Sequence, residues 1–193
     1  ALLRDPSIPR DLDADAIRDY VVFGHVPAPR TIFSAIRKLP PASTLVLDLD
    51  QGDPRVERYW DLRFAPDRRR SMTEWAEGLR WHLDDAVQSH MVSDVPVGAF
   101  LSGGVDSGTV VACMARGGGP VRTFSIGFDE ADFDELAYAR EVARRFGTDH
   151  YEFVVKQDAL EALPLLAAQF DEPFADASAL PTYSVSRMTR EHV

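Results

Sequence analysis

Leu101-Ser102-Gly103-Gly104-Val105-Asp106-Ser107 is the stretch on which the reading of this chain turns. An apolar run, Val95-Pro96-Val97-Gly98-Ala99-Phe100, precedes it, and a helix-like segment, Thr109 to Arg116, follows. A strand, a tight Gly-Gly turn carrying hydroxyls and one acid, and then a helix form a phosphate cradle. Adjacent glycines let the backbone approach a ligand and accept positive φ without a Cβ penalty. The first amides of a helix have no intrahelical acceptor, and with the positive end of the dipole they favour an anion. The stretch reads as a pyrophosphate-binding loop; an ordinary Gly/Ser-rich turn does not require six residues of these types after an apolar strand.

Two familiar phosphate loops are excluded. A Walker A loop needs a lysine after its last glycine, and the only lysines in the chain are Lys38 and Lys156. The G-x-G-x-x-G spacing of dinucleotide-binding turns is also absent. The remaining pattern, S-G-G-x-D-S, resembles the PP-loop of the ATP pyrophosphatases, which split ATP between the α and β phosphates. Residue type suggests the roles. Gly103 and Gly104 admit the phosphates, and Ser102 and Ser107 offer hydroxyls. Asp106 repels bare phosphate, so it is read as a ligand of a Mg²⁺ that bridges the leaving pyrophosphate.

Composition narrows the class. The 193 residues can bury a proper core and allow one or two domains. With 45% apolar and 27% charged residues the chain is typical of globular proteins. A formal charge of −10 argues against a nucleic-acid surface, which needs a basic stripe. The single cysteine, Cys113, excludes an internal disulfide and suits a cytoplasmic setting. No apolar run approaches the ~18 residues of a membrane span, and no signal-peptide pattern is present. The chain begins at Ala1 without methionine and stops at Val193 just after a helical pattern, so it reads as a piece of a longer protein.

Along the chain, Asp13 to Phe23 reads as a short helix closed by Gly24. Thr44 to Leu49, with Leu45, Leu47 and Leu49 on one face, pairs as a hairpin with Arg55 to Trp60 across the turn Asp50-Gln51-Gly52-Asp53. An Arg-rich stretch, Pro66 to Arg70, reads as a linker. Ser71-Met72-Thr73-Glu74 has capping-box spacing, and Trp75, Leu79, Leu83, Val87 and Met91 follow at helical intervals. After the loop, strands at Val121–Phe128 and Tyr151–Val155 alternate with helices at Leu136–Phe146, Leu160–Phe170 and Leu180–Thr189. Such alternation predicts an α/β fold with a parallel sheet and ligands at the strand C-termini.

The order of motifs resembles the glutamine-dependent asparagine synthetases. Tyr20 to Phe33, then Ile36-Arg37-Lys38-Leu39-Pro40-Pro41 and Arg58-Tyr59-Trp60-Asp61, resemble the join between that family's glutaminase and synthetase domains. Val97 to Ser107 resembles its PP-loop, Thr123 to Phe128 its adenine-contacting strand, and Asp171-Glu172-Pro173-Phe174-Ala175-Asp176 the run before its next loop. The resemblance implies a PP-loop ATP pyrophosphatase domain, of the adenine nucleotide alpha hydrolase type, at 63–193. It would be preceded at 1–62 by the β-rich tail of an N-terminal-nucleophile glutaminase domain. It further implies that Ser102, Gly103, Gly104, Asp106 and Ser107 bind the β,γ-phosphates of ATP and Mg²⁺. Leu101, Ile126 and the Gly127 backbone would hold adenine, and Asp171 and Glu172 would face the substrate or Mg²⁺. The implied reaction activates the aspartate side-chain carboxylate as an acyl-adenylate, releases pyrophosphate, and forms the amide with ammonia drawn from glutamine. Small-molecule partners, a homodimer of the full-length protein and a cytoplasmic location go with it.

The chain departs from the family's pattern in three ways. It has no cysteine at position 1, the later S-G-D-G-G-D-E-like loop would lie past Val193, and Gly108 stands where another serine is usual. No catalytic set is therefore complete here. Cys113, inside a predicted helix, reads as packing. The acids Asp129, Glu130, Asp132, Asp134 and Glu135 read as helix-start charges, and the five histidines show no zinc spacing. Trp75 and Trp81 read as packing residues. Two other readings stay open: a PP-loop amidotransferase with a different acceptor (β-lactam-forming or glycan-associated), and an inactive nucleotide-binding fragment.

Overall fold

Local capping chemistry sets the first helices. A computed structural model describes residues 2–50, 52–127, 135–154, 159–170 and 172–193. Helix α1, Ala14–Phe23, starts where the Asp13 side chain accepts from the Asp15 and Ala16 amides, and it ends at Gly24 with φ +74°. Helix α2, Met72–His90, opens on a complete capping box between Ser71 and Glu74. The Ser71 amide and hydroxyl hold the exposed Glu74 carboxyl below its usual range. These ends agree with the sequence, because each cap is a contact within a few residues.

The chain divides into two compact units, Ala1–Pro66 with Leu163–Asp176, and Asp67–Ala162 with Ala177–Val193. In the first, strands β1 (Ser43–Leu47) and β2 (Pro54–Arg58) form the expected antiparallel hairpin. The strand stops at Leu47 rather than Leu49. The Asp48 carboxylate and carbonyl accept from the Asp50 and Gly52 amides and turn the chain early. Leu49 is left outside the strand and exposed, and Leu45 and Leu47 are half exposed, so the hairpin's expected apolar face is open among the described residues. The buried residues of this unit gather instead at Ala16, Val26, Thr31 and Ile32.

The second unit carries a parallel three-stranded sheet in the order β3 (Gly98–Phe100), β4 (Arg122–Gly127), β5 (Asp149–Val154). The run from Val95 does not pair in full. Pro96 lacks an amide donor, and β4 begins only at Arg122, after Pro120, so the first rung is Gly98 to Arg122. A Cβ on Gly98 would sit 2.4 Å from Phe124 Cε2, so glycine lets the ring of the central strand lie across it. Helix α3 spans Val105–Arg116, α4 Leu136–Phe146, α5 Ala159–Gln169 and α6 Ala179–Thr189. Helix α3 begins four residues before Thr109, which puts Asp106 and Ser107 in its first turn. Phe128, Asp129, Glu130, Asp132, Asp134 and Val155 lie outside the described residues.

Side-chain alternation covers both faces of the sheet. Leu101, Val111, Ala139 and Ala143 pack with Ala99, Val142 and Phe146 on the side of α3 and α4. On the other side Phe124 stacks on Tyr151 at 5.3 Å, and the His192 ring lies against Phe124, Tyr151 and Phe153. Helix α2 buries none of its residues. Leu83, Val87 and Met91 are half-buried, while Trp75 and Leu79 are exposed. The Arg70 guanidinium lies 4.9 Å from the ring of the exposed Trp75, and Trp81 is exposed with His82 edge-on to its ring, contrary to the packing role expected for both. What ties α2 to α3 is polar: Arg116 Nη1 donates to Asp84 at 2.5 Å, and Gln88 Nε2 donates to the Cys113 carbonyl at 2.9 Å. Burial, and then the neighbouring Asp84, push the Cys113 thiol up, which fits a packing residue.

A polar chain threads the α4 side of the sheet. The fully buried Thr123 Oγ1 meets Thr148 Oγ1 and His150 Nδ1, each at 2.8 Å. His150 Nε2 lies 3.4 Å from Glu152, which takes two 2.7 Å bonds from Arg140. Burial pulls the His150 pKa below the ordinary 6.5, although Glu152 opposes this. The folded state thus binds fewer protons at this site than the unfolded one. Its contribution is complete above about pH 6.5 and is lost as pH falls toward the lowered value. Denaturant unfolding between pH 7.5 and 5.5 should show stability declining with pH, and a flatter profile in His150→Asn, which can keep the Thr123 contact. Equal slopes in the two proteins would refute the assignment.

Candidate functional site

The loop forms where β3 runs out. Leu101 makes one more rung, its amide donating to Phe124 O at 2.8 Å, and its carbonyl accepts from the buried Ser125 hydroxyl. Both backbone groups of Leu101 are therefore held, and the chain turns away from the sheet at Ser102. The turn passes through Gly103 at φ +81°. A Cβ there would lie 2.5 Å from Tyr138 Cβ and 2.6 Å from Ala139 N. The loop therefore rests directly on the first turn of α4, a contact that only glycine permits.

Gly104 is the N-cap of α3, with extended backbone and no side-chain cap, and the first helical bond runs from Gly108 N to Gly104 O at 2.9 Å. The amides of Val105, Asp106 and Ser107 precede that bond, so the helix offers them no acceptor. The hydroxyls of Ser102 and Ser107 face each other at 3.0 Å. Gly104 N donates to Ser102 Oγ, and Ser107 Oγ donates to Gly104 O, both at 3.3 Å. These are long bonds, readily exchanged for stronger ones to an oxyanion.

Beside the loop lies a cleft of about 410 Å³, lined by the apolar Leu101, Phe124 and Ile126 and the polar Ser102, Ser107 and Glu135, among others. Of the expected residues, Leu101, Ser102, Ser107 and Ile126 line this cleft. Gly103 and Gly104 back the loop toward a groove between α2, α3 and α4. Gly127 is buried at the end of β4, and Asp106 is exposed in the first turn of α3. Asp171 lies outside the described residues. Glu172 belongs to the first unit, where its carboxylate takes the Ile32 amide and Lys38.

Alternation along β4 gives the cleft a polar edge. Val121 O accepts from Asp149 N on the β5 side and Phe124 O from Leu101 N on the β3 side, so Ile126 also faces β3. The β3 ladder ends at Leu101, and Ile126 is the next residue past it. Its N–H and C=O point into the cleft region as one donor and one acceptor.

A metal has a modest protein contribution to draw on. Among the described residues no group of three or more His, Cys, Asp or Glu converges. Asp106 supplies a single hard oxygen ligand next to the loop, which suits Mg²⁺, an ion usually held by one or two carboxylates with phosphate oxygens and water.

Two contributors escaped the sequence reading. Ser125, which pins Leu101, gives no local signal. Glu135, read only as a helix-start charge, is the N-cap residue of α4, the next described helix after the central strand β4, and it lines the cleft. At Gly108 a Cβ would meet Val142 at 3.8 Å, on the side of α4 rather than the cleft. Replacing Gly103 by Ala should therefore destabilise the protein by about 2–4 kcal/mol, through overlap and positive φ. Replacing Gly108 by Ala should stabilise it by about 0.5–1 kcal/mol. Denaturant titration of both variants checks this, and a reversal of their order would contradict the loop's placement.

Comparison with known proteins matches residues 78–193 to the family model described as Asparagine synthase. The putative glutamine-hydrolysing asparagine synthetase 2 of Methanocaldococcus jannaschii is 39% identical over 189 residues, covering 95% of this chain and 36% of that protein. Glutamine-hydrolysing asparagine synthetase 1 of Bacillus subtilis is 33% identical over 184 residues, covering 95% and 29%. Amidase chyE of Penicillium rubens is 32% identical over 150 residues, covering 68% and 22%. The chain spans about a third of the length of the asparagine synthetases it matches.

Proposed function

The chain belongs to the asparagine synthase family, and from that premise we propose that it forms the ATP-binding part of a glutamine-dependent asparagine synthetase. The observation that carries this is the loop itself: an anion cradle at the end of a parallel strand, beside an apolar cleft sized for a nucleobase. Ser102, Gly103, Gly104 and Ser107, with the first amides of α3, bind the β,γ-phosphates. Leu101 and Ile126 enclose adenine, and the Ile126 backbone offers a donor to N1 and an acceptor to N6; the Gly127 backbone, paired toward β5, backs the end of that strand.

Asp106 holds Mg²⁺, which when bound neutralises charge on the departing pyrophosphate. An aspartate side-chain oxygen attacks the α-phosphorus, and the α,β-bridging P–O bond breaks. The electron pair leaves with pyrophosphate. Ammonia derived from glutamine then attacks the acyl carbon, and AMP departs with one former carboxylate oxygen. The cradle's task is electrostatic. It offsets the repulsion between the triphosphate and the incoming carboxylate with donors already in place. The 1–62 segment is read as the tail of the glutaminase domain. A ligase with another acceptor is the second reading; the relatives are not all named as asparagine synthetases, one being named an amidase.

Aspartate labelled with ¹⁸O in its side-chain carboxylate tests the mechanism in the full-length protein. One labelled oxygen should appear in AMP for each asparagine formed. Label in orthophosphate, or AMP formed without aspartate, would contradict the proposal, and labelling by a different acid alone would select the second reading.

A further inference from the structure

Two motifs far apart in sequence meet in the first unit. Glu172 Oε1 accepts from the Ile32 amide at 3.0 Å, a contact across 140 residues, and its other oxygen lies 2.5 Å from Lys38 Nζ. Lys38 Nζ also donates to the Val26 carbonyl at 2.7 Å. Val26 and Ile32 are buried, and the Ile32 carbonyl accepts from Asp13 N, which caps α1. The Ile32 residue is thus fixed on one side by a helix cap and on the other by Glu172. Lys38 is one of only two lysines among 21 basic residues. Its cationic head, at the end of a flexible stem, reaches a carbonyl and a carboxylate together.

Both Glu172 oxygens are committed. Turning the carboxylate to any other ligand would strand a buried N–H and an ammonium, each costly without a partner. The chain leaves the second unit after Ala162 and rejoins it at Ala177. Helix α6 starts two residues after that return, and its Val185 lines the nucleotide cleft. The excursion is therefore joined covalently at both ends to the ATP-binding unit, while the Glu172–Lys38 ion pair and the Glu172–Ile32 hydrogen bond hold it in the other unit.

We propose that Glu172 is a positioning residue. With Lys38 it anchors the Leu163–Asp176 excursion in the first unit, and through this anchor that unit's state reaches α6 and the nucleotide cleft. In the full-length enzyme, whose two half-reactions rest on the functional reading above, the pair keeps ammonia supply in step with amide formation.

The test compares Lys38→Met, Glu172→Ala, the double variant and Lys38→Arg in the full-length protein. It reads two quantities, hydrogen exchange at the Ile32 amide and the ratio of glutamine-dependent to ammonia-dependent asparagine synthesis. Exchange should rise in Lys38→Met and Glu172→Ala. The ratio should fall by at least about fivefold, within the usual span of coupling between sites. The double variant should fall no further than the worse single one, and Lys38→Arg should retain the ratio. Unchanged Ile32 exchange in Lys38→Met would overturn the anchor. A raised KM for aspartate in Glu172→Ala alone, with Lys38→Met normal, would make Glu172 a substrate contact instead. A wild-type enzyme unable to use ammonia would sink the functional reading, and the exchange arm would still decide the anchor.

Discussion

A single close approach governs the second unit: Gly103 crosses the first turn of α4 with no room for a side chain. That contact fixes where the loop lies, and the loop fixes where α3 begins. Upstream, the register is held by Leu101, whose amide and carbonyl are bound by Phe124 and Ser125 on the neighbouring strand. The loop is thus clamped between a strand rung on one side and a helix turn on the other. The open amides of Val105, Asp106 and Ser107 are aimed as a consequence of that clamp. A pre-aimed donor set spends little of its binding energy on reorganisation when charge arrives.

The same geometry would let a chain of net charge −10 receive a polyanion. Net charge acts at long range and is screened over roughly 8 Å at physiological salt, whereas the amides and hydroxyls act at contact distance. Only two lysines occur, and the one among the described residues, Lys38, is occupied in the other unit. On the proposed reading the loop would meet phosphate with its backbone amides and hydroxyls, with a cation held at Asp106. The loosely paired hydroxyls of Ser102 and Ser107 fit this arrangement, since their mutual bonds satisfy the loop until stronger acceptors replace them.

Features encoded within a few residues were legible in the sequence. The Asp13 and Ser71 caps, the stop at Gly24, the hairpin and the strand–loop–helix order all stand in the structure. Element ends were legible only where no competing contact intervened. Leu49 falls outside β1 because Asp48 folds the backbone first, and β3 is short because β4 offers no partner before Arg122. Helix α3 starts at Val105 rather than near Thr109 because Gly104, with extended backbone, serves as its N-cap. Contacts across the chain were not legible. Nothing near Glu172 announces that its carboxylate meets Ile32 and Lys38, and nothing near Ser125 announces the Leu101 carbonyl.

The claim on which the account rests is that the 101–107 loop binds the phosphates of MgATP with Asp106 as the protein's ligand to the metal. Calorimetric titration of MgATP into this chain and into its Asp106→Ala variant tests it most directly. The account predicts saturable binding by the parent chain that weakens on the order of tenfold or more in the variant, about 1.4 kcal/mol. Equal affinities in the two, or no binding to a chain shown to be folded, would contradict it.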